Sequence, residues 1–216
     1  MRFVRITGKR AGANFRLADF TCKKTTQSLN YLIQKSDNKM LDKYVLLKLF
    51  WAGDRYHLRK YSRLIVDESY VAMENGPVGS LAKDIIYAKT EYGLPEECLP
   101  YTSSYIEKVS DNVHSLKNTD ESYLSPTDKE ALDFAWETLG HMTKQEIIDF
   151  THKYPEWDRH GSDLSEEVKS KNIDIRDFYK EPGDTQNDPF AIDPELKEIS
   201  EEQFEESLEI KALLRR

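Results

Sequence analysis

Apolar positions recur at helical spacing along most of the first 160 residues and thin out after them. The densest stretch is LDKYVLLKLFWAGDRYHLRKY, residues 41–61. Leu46, Leu49, Phe50 and Gly53 fall at i, i+3, i+4 and i+7, and Leu47, Trp51 and Leu58 widen the stripe. A helix apolar over so much of its circumference is expected at the centre of the fold. Upstream, Leu29, Leu32 and Ile33 share one face of a helix that starts near Lys24 and is broken by SDNK at 36–39. Downstream, SRLIVDESYVAM has the β-branched and aromatic content of one or two short strands. NGPVGS ends them, because Gly76 permits an unusual φ and Pro77 cannot donate to a ladder. A helix is then expected over 80–93, with Ser80 as N-cap, Gly93 beyond its end, and Leu81, Ile85 and Ala88 facing inward.

SYIEKVSDNVHSL, 104–116, reads as a hairpin around Ser-Asp-Asn. Ser125-Pro126-Thr127-Asp128 combines a capping hydroxyl, proline at the first helical position and an acid at the third, and predicts a helix to about Leu139 that Gly140 ends. Thr143-Lys144-Gln145-Glu146 is a second capping box, opening a short helix that Pro155 closes off. Leu132, Ala135, Leu139, Ile147, Ile148 and Phe150 supply the core of this pair. The fold class expected is therefore mainly α (α+β): a compact helical domain with a small antiparallel β element.

Beyond Gly161 the apolar pattern fails. The segment is acidic and punctuated by proline, with too few apolar residues to offset a backbone entropy of roughly 1–2 kcal/mol per residue. Residues 162–216 are expected to be an acidic, partly disordered extension. Within it, SEEQFEESLEIKALL has a Ser200…Gln203 capping box ahead of Phe204, Leu208 and Leu213, so a short amphipathic helix is expected over 200–213. That helix would dock on its own body or be offered to another protein.

Charge sharpens this division. Residues 162–216 carry 16 acidic and eight basic residues and account for the whole net charge of −8. Residues 1–24 carry seven bases against the single acid Asp19. Residues 1–161 taken together are neutral, so the chain divides into a basic arm over 1–25, a body over 26–161 and an acidic tail. Its longest apolar-rich run contains Lys48 and falls far short of the ~20 residues of a membrane span. No apolar run follows the basic N-terminus, so a cytoplasmic protein with reduced thiols at Cys22 and Cys98 is expected.

Catalytic chemistry finds little support. Asp54 and His57 lie three apart on the central helix and could act as an acid–base pair, but a structural hydrogen bond, on a helix that also carries Arg55 and Arg59, is the favoured reading. His141, His152 and His160 lack metal-cage spacing. There is no G-x-S-x-G elbow, no phosphate-binding glycine loop and no cysteine–histidine pair. The sequence therefore offers no catalytic residue, cofactor or metal. The basic arm admits nucleic acid, but residues 1–161 as a whole carry no net positive charge and the tail is acidic, which argues against direct binding to phosphate.

Two blocks carry a family resemblance. KLFWAGDRYHLRKYSRLIVDESYVAMENGPVGS resembles the signature of the Panacea domain, found in SocA-like antitoxins and phage-associated proteins. The matching positions are Lys48 to Asp54, Tyr70 to Met73 and Gly76 to Ser80. LSPTDKEALDFAWETLGHMTKQEIIDFTHKYPEW, 124–157, is similar to the closing helices of that family. Gly79 stands where the family usually has proline, and Ser69 where it has threonine.

The resemblance implies a non-catalytic antitoxin that neutralises a cognate protein toxin, usually encoded beside it, by direct contact. It also leaves open an adaptor that delivers the toxin to a protease, and a DNA-binding autoregulator. Contact residues are expected around the first block: Asp54, Arg55, Tyr56, Tyr61 and Arg63, then Tyr70, Met73, Asn75 and Pro77. Tyr70 and Met73 could instead belong to the core. Phe204 and Leu208 are the corresponding candidates in the tail.

Overall fold

The computed structural model describes residues 8–89, 94–184 and 187–214, with side chains from residue 18 onward. Residues 2–7, RFVRIT, whose sequence suits an edge strand, and Gly93, expected past the end of the helix over 80–93, fall outside these residues.

The architecture is mainly α with two small antiparallel sheets. Helix α1 (Gly8–Gln34) leads through β1 (Met40–Asp42) into α2 (Lys43–Tyr61), the central helix. Asp42 caps α2 by accepting from the amides of Tyr44 and Val45, and Ser62 closes it in the left-handed region at φ 58°. The stripe seen in the sequence is the core: Leu46, Leu49, Phe50, Trp51, Ala52 and Leu58 are wholly buried. After α2 come β2 (Tyr70–Met73), β3 (Gly76–Gly79) and α3 (Ser80–Tyr87), then α4 (Leu99–Tyr105) and the hairpin β4 (Ile106–Val109) and β5 (Asn112–Ser115). Two helices follow with the expected capping boxes, α5 (Pro126–Leu139) with Ser125/Asp128 and α6 (Lys144–Thr151) with Thr143/Glu146. The chain ends with α7 (Pro155–Gly161), β6 (Ser170–Asn172) and α8 (Pro194–Leu214).

One sheet has the order β1-β5-β4, the other β3-β2-β6. Helix α2 packs against α1, α5, α6 and α8, so nearly every layer touches it.

Several elements differ from the sequence pattern. Helix α1 begins at Gly8, well before Lys24, and so runs through most of the arm. NGPVGS does more than end a strand: Gly76–Gly79 is itself a strand, with Pro77 opposite Ala72 on the sheet edge, where its missing N–H costs no ladder bond. Helix α3 is short, stopping at Tyr87 with Ala88 in the left-handed region, and its N-cap position is Gly79 rather than Ser80. Pro155 opens α7 instead of closing α6.

The largest difference lies in residues 162–216, expected to be partly disordered. Strand β6 pairs with β2, placing Lys171 opposite Ala72. Ile173, Phe178, Tyr179, Phe190 and Phe204 are all buried. Average composition misjudged the segment because four of these five are aromatic, each able to bury about 150–250 Å². The helix expected over 200–213 is longer at its start, and Ser200 does not cap it. Asp193 caps it, accepting from the amides of Glu195 and Leu196, while the Ser200 hydroxyl donates to the carbonyl of Leu58 on α2.

Candidate partner-binding groove

The turn between β2 and β3 consists of Glu74 and Asn75, and Gly76 follows with φ +102°. Glycine is required there on two counts. A side chain would be strained at that φ, and a Cβ would stand 2.6 Å from Thr151 Oγ1 and 2.8 Å from Lys48 Nζ. Those neighbours belong to a buttress beneath the corner. The buried Lys48 ammonium donates to the carbonyl of Pro77 at 2.7 Å, and burial pulls its pKa well below the ordinary lysine value. The indole of Trp157 donates to the carbonyl of Met73 at 2.7 Å, with the His152 ring stacked 3.4 Å from the Trp157 ring. Glu68 holds the far end of the hairpin: its carboxylate accepts from the amide of Ala82 at the start of α3. It can come so close only because residue 79 is glycine, where a Cβ would stand 2.7 Å from that carboxylate. The absence of the family's usual proline at 79 thus makes room for a remote helix cap, rather than loosening the start of α3.

Above this buttressed corner lies a cleft of about 340 Å³. Leu47, Met73 and Val78 are among its apolar lining residues, together with the rings of Tyr44 and Tyr87. Leu164 and Val168, from the segment that leads into β6, also line it. Glu74, Asn75, Lys83, Glu166 and Lys169 are its polar lining. An apolar cleft with a few polar groups has the make-up of a ligand-binding pocket.

The candidate contact residues do not converge on one site. Met73 and Asn75 line the groove. Tyr56 and Tyr61 meet elsewhere, where both hydroxyls and the Lys60 ammonium donate to Glu130. These bonds hold the Glu130 carboxyl down at about 2. Arg63 is exposed and reaches Asp128 and Thr127. Leu208 is half-buried against the core.

Asp54, Arg55, Tyr70, Pro77 and Phe204, expected as contacts, are buried and present no surface to a partner. Asp54 accepts from the amide of Ile65 and the hydroxyl of Tyr70, both at 2.7 Å, and burial pushes its pKa up to about 7. His57 bonds to the Arg63 carbonyl and the Thr127 hydroxyl, so the expected partnership with Asp54 is replaced by separate structural bonds. Arg55 makes a two-point bridge to the buried Glu156 and donates to the carbonyl of Lys180. Arg59 donates to the carbonyls of Phe178, Tyr179 and Phe190. The charged face of α2 is therefore the set of fasteners that binds the tail to the body.

The sequence did not single out Tyr44, Tyr87, Leu164 or Val168. The two tyrosines are adjacent to helical apolar patterns without belonging to them, and the other two lie in a segment read as an extension. Among the described residues, no group of three or more histidine, cysteine, aspartate or glutamate side chains could hold a metal ion, and no helix is long and apolar enough to cross a membrane.

A family model described as Antitoxin SocA-like, Panacea domain, matches residues 46–158. No curated protein and no solved structure matches the chain.

Proposed function

Because this chain belongs to the SocA-like antitoxin family through its Panacea domain, we propose that it is an antitoxin that neutralises a cognate protein toxin in the cytoplasm by binding it directly. The observation that carries this reading to a place on the molecule is the groove over the β2–β3 corner. Its walls are held from beneath by Lys48 and Trp157, so a partner side chain meets a cleft already formed and little ordering entropy opposes binding. A stable complex buries about 1,200–2,000 Å², of which a few anchors in such clefts supply most of the energy. A non-catalytic role is supported by the fate of Asp54 and His57, whose polar atoms are taken up by structural hydrogen bonds inside the protein.

The test is co-expression with each neighbouring gene product that arrests growth alone. Wild-type protein should restore growth and be recovered in a complex with intact toxin. Asn75→Trp, which fills the groove from its rim, should lose rescue while keeping its melting temperature. Loss of the toxin from the cell, in place of an intact complex, would identify a protease adaptor. If no neighbour is toxic, or none is rescued, the antitoxin reading fails.

A further inference from the structure

Positive charge is concentrated around the groove, and it was not evident from a net charge of −8. Lys83 and Lys169 line the cleft itself. Three more lysines stand over the two tyrosine rings that line it. Lys144 Nζ lies 4.0 Å from the centre of the Tyr44 ring, Lys108 Nζ lies 5.2 Å from that of Tyr87, and Lys43 Nζ is within 5.1 Å of Tyr44 and 5.7 Å of Tyr87. Lys43 is also paired with Asp111. Lys108, Lys144 and Lys169 form no ion pair with a described residue. Acidic α8, by contrast, has both of its lysines in ion pairs, Lys197 with Glu181 and Lys211 with Asp67.

The groove thus offers an apolar floor, two tyrosine rings and a rim on which ammonium groups outnumber carboxylates. We infer that its occupant is an extended acidic–apolar peptide segment of the partner, one apolar side chain entering the cleft and flanking aspartate or glutamate residues meeting Lys108, Lys144 and Lys169. This rests on the antitoxin reading and adds the chemistry of the segment that the groove recognises. The apolar lining by Leu47, Met73 and Val78 selects a hydrocarbon or aromatic side chain. The ammonium groups, those of Lys108 and Lys144 held over ring faces, attract carboxylates and raise the encounter rate. Glu74 and Glu166 also line the cleft and repel a continuous polyanion. A peptide can leave neutral atoms opposite them, whereas a nucleic-acid strand carries a phosphate at every step. Peptide is the occupant that fits both signs of charge.

The experiment selects ligands for the full-length protein from an unbiased displayed peptide library, then measures enriched peptides in solution. Sequences with an apolar residue flanked by Asp or Glu are expected. Their affinity should fall about tenfold or more for the triple variant Lys108→Glu, Lys144→Glu, Lys169→Glu, and should fall with added salt. The same triple change should leave the unfolding midpoint nearly unaltered, since all three side chains are at least partly exposed. A short oligothymidine serves as the competing probe. Enrichment of basic or uncharged peptides, indifference to the triple variant, or groove-dependent binding of the oligothymidine alone would each overturn the inference. Growth rescue separates the two levels. A triple variant that rescues as well as wild type sinks the acidic-peptide inference and leaves the antitoxin reading intact, whereas a wild type that rescues nothing sinks the reading itself.

Discussion

Glu156 is the perturbation that best tests how Arg55 ties α2 to α7 and to the tail carbonyl of Lys180. Both Arg55 and Glu156 have wholly buried side chains. Arg55 Nη1 donates to the two carboxylate oxygens at 2.7 and 2.8 Å, and the Trp51 indole donates to the same carboxylate at 3.1 Å. The change Glu156→Gln keeps the volume and an acceptor for Trp51 but removes the negative charge. It leaves the buried guanidinium without a counter-charge, its partners reduced to the amide oxygen, the Lys180 carbonyl and the faces of Tyr154 and Phe190. Breaking a buried pair by removing one partner costs about 3–5 kcal/mol. For a protein of this size each kcal/mol moves the melting temperature by about 2–4 °C, so a fall of roughly 6–20 °C is expected. The double variant Arg55→Met, Glu156→Met replaces the ion pair by hydrocarbon. It should cost less than Glu156→Gln alone, about 1–3 kcal/mol, set mainly by the stranded indole N–H and Lys180 carbonyl. Urea unfolding followed by circular dichroism, with the single variants Arg55→Met and Glu156→Met included, gives these values and the coupling between the sites. If the double variant costs as much as the sum of the single changes, Arg55 and Glu156 are independent and the fastener account is wrong.

Three further outcomes follow from other parts of the buttress. Burial pushes the Glu68 carboxyl up to about 8, above the ordinary glutamate range, so the native state holds a proton that the unfolded chain releases near pH 4.5. Its contribution is fully present below pH 4.5 and is lost as pH rises through 8; Glu68→Gln should flatten stability between pH 5 and 9, and an unchanged profile would count against it. Gly79→Ala places a methyl 2.7 Å from the Glu68 carboxylate and should cost about 1–3 kcal/mol, with the loss relieved in a Glu68→Ala background. Phe190→Ala empties a site among the rings of Trp51, Phe134 and Tyr154 and should cost about 3–5 kcal/mol, with limited proteolysis then cutting between residues 178 and 192. Unaltered resistance to protease would mean that Phe190 does not hold that segment down.

How much of this the chain reveals in advance depends on the distance over which each feature is encoded. The capping boxes at Ser125/Asp128 and Thr143/Glu146 and the stripe on α2 are local patterns, and each places its helix to within a residue or two. Strand β6 and the burial of Phe178, Tyr179 and Phe190 depend on partners far away along the chain, so a window of acidic, proline-rich sequence conceals them. The charged residues of α2 misled for a related reason. Arg and Asp on a helix ordinarily mark its solvent face, but here Asp54, Arg55 and Arg59 turn inward to meet Tyr70, Glu156 and the tail carbonyls. The groove is the least legible feature, since residues 44–47, 73–78, 83–87 and 164–169 meet only once the chain has folded.

The pairing of β2 with β6 also sets an order of events during synthesis. Met73 emerges from the ribosome about 100 residues before Ser170, its partner across the sheet. At roughly 5–20 residues per second, the family signature waits about 5–20 seconds for the strand that completes its sheet. Leu164 and Val168, which line one part of the groove, arrive only just ahead of that strand. A nascent or prematurely ended chain therefore carries the signature without a finished groove, which closes only when translation has passed β6.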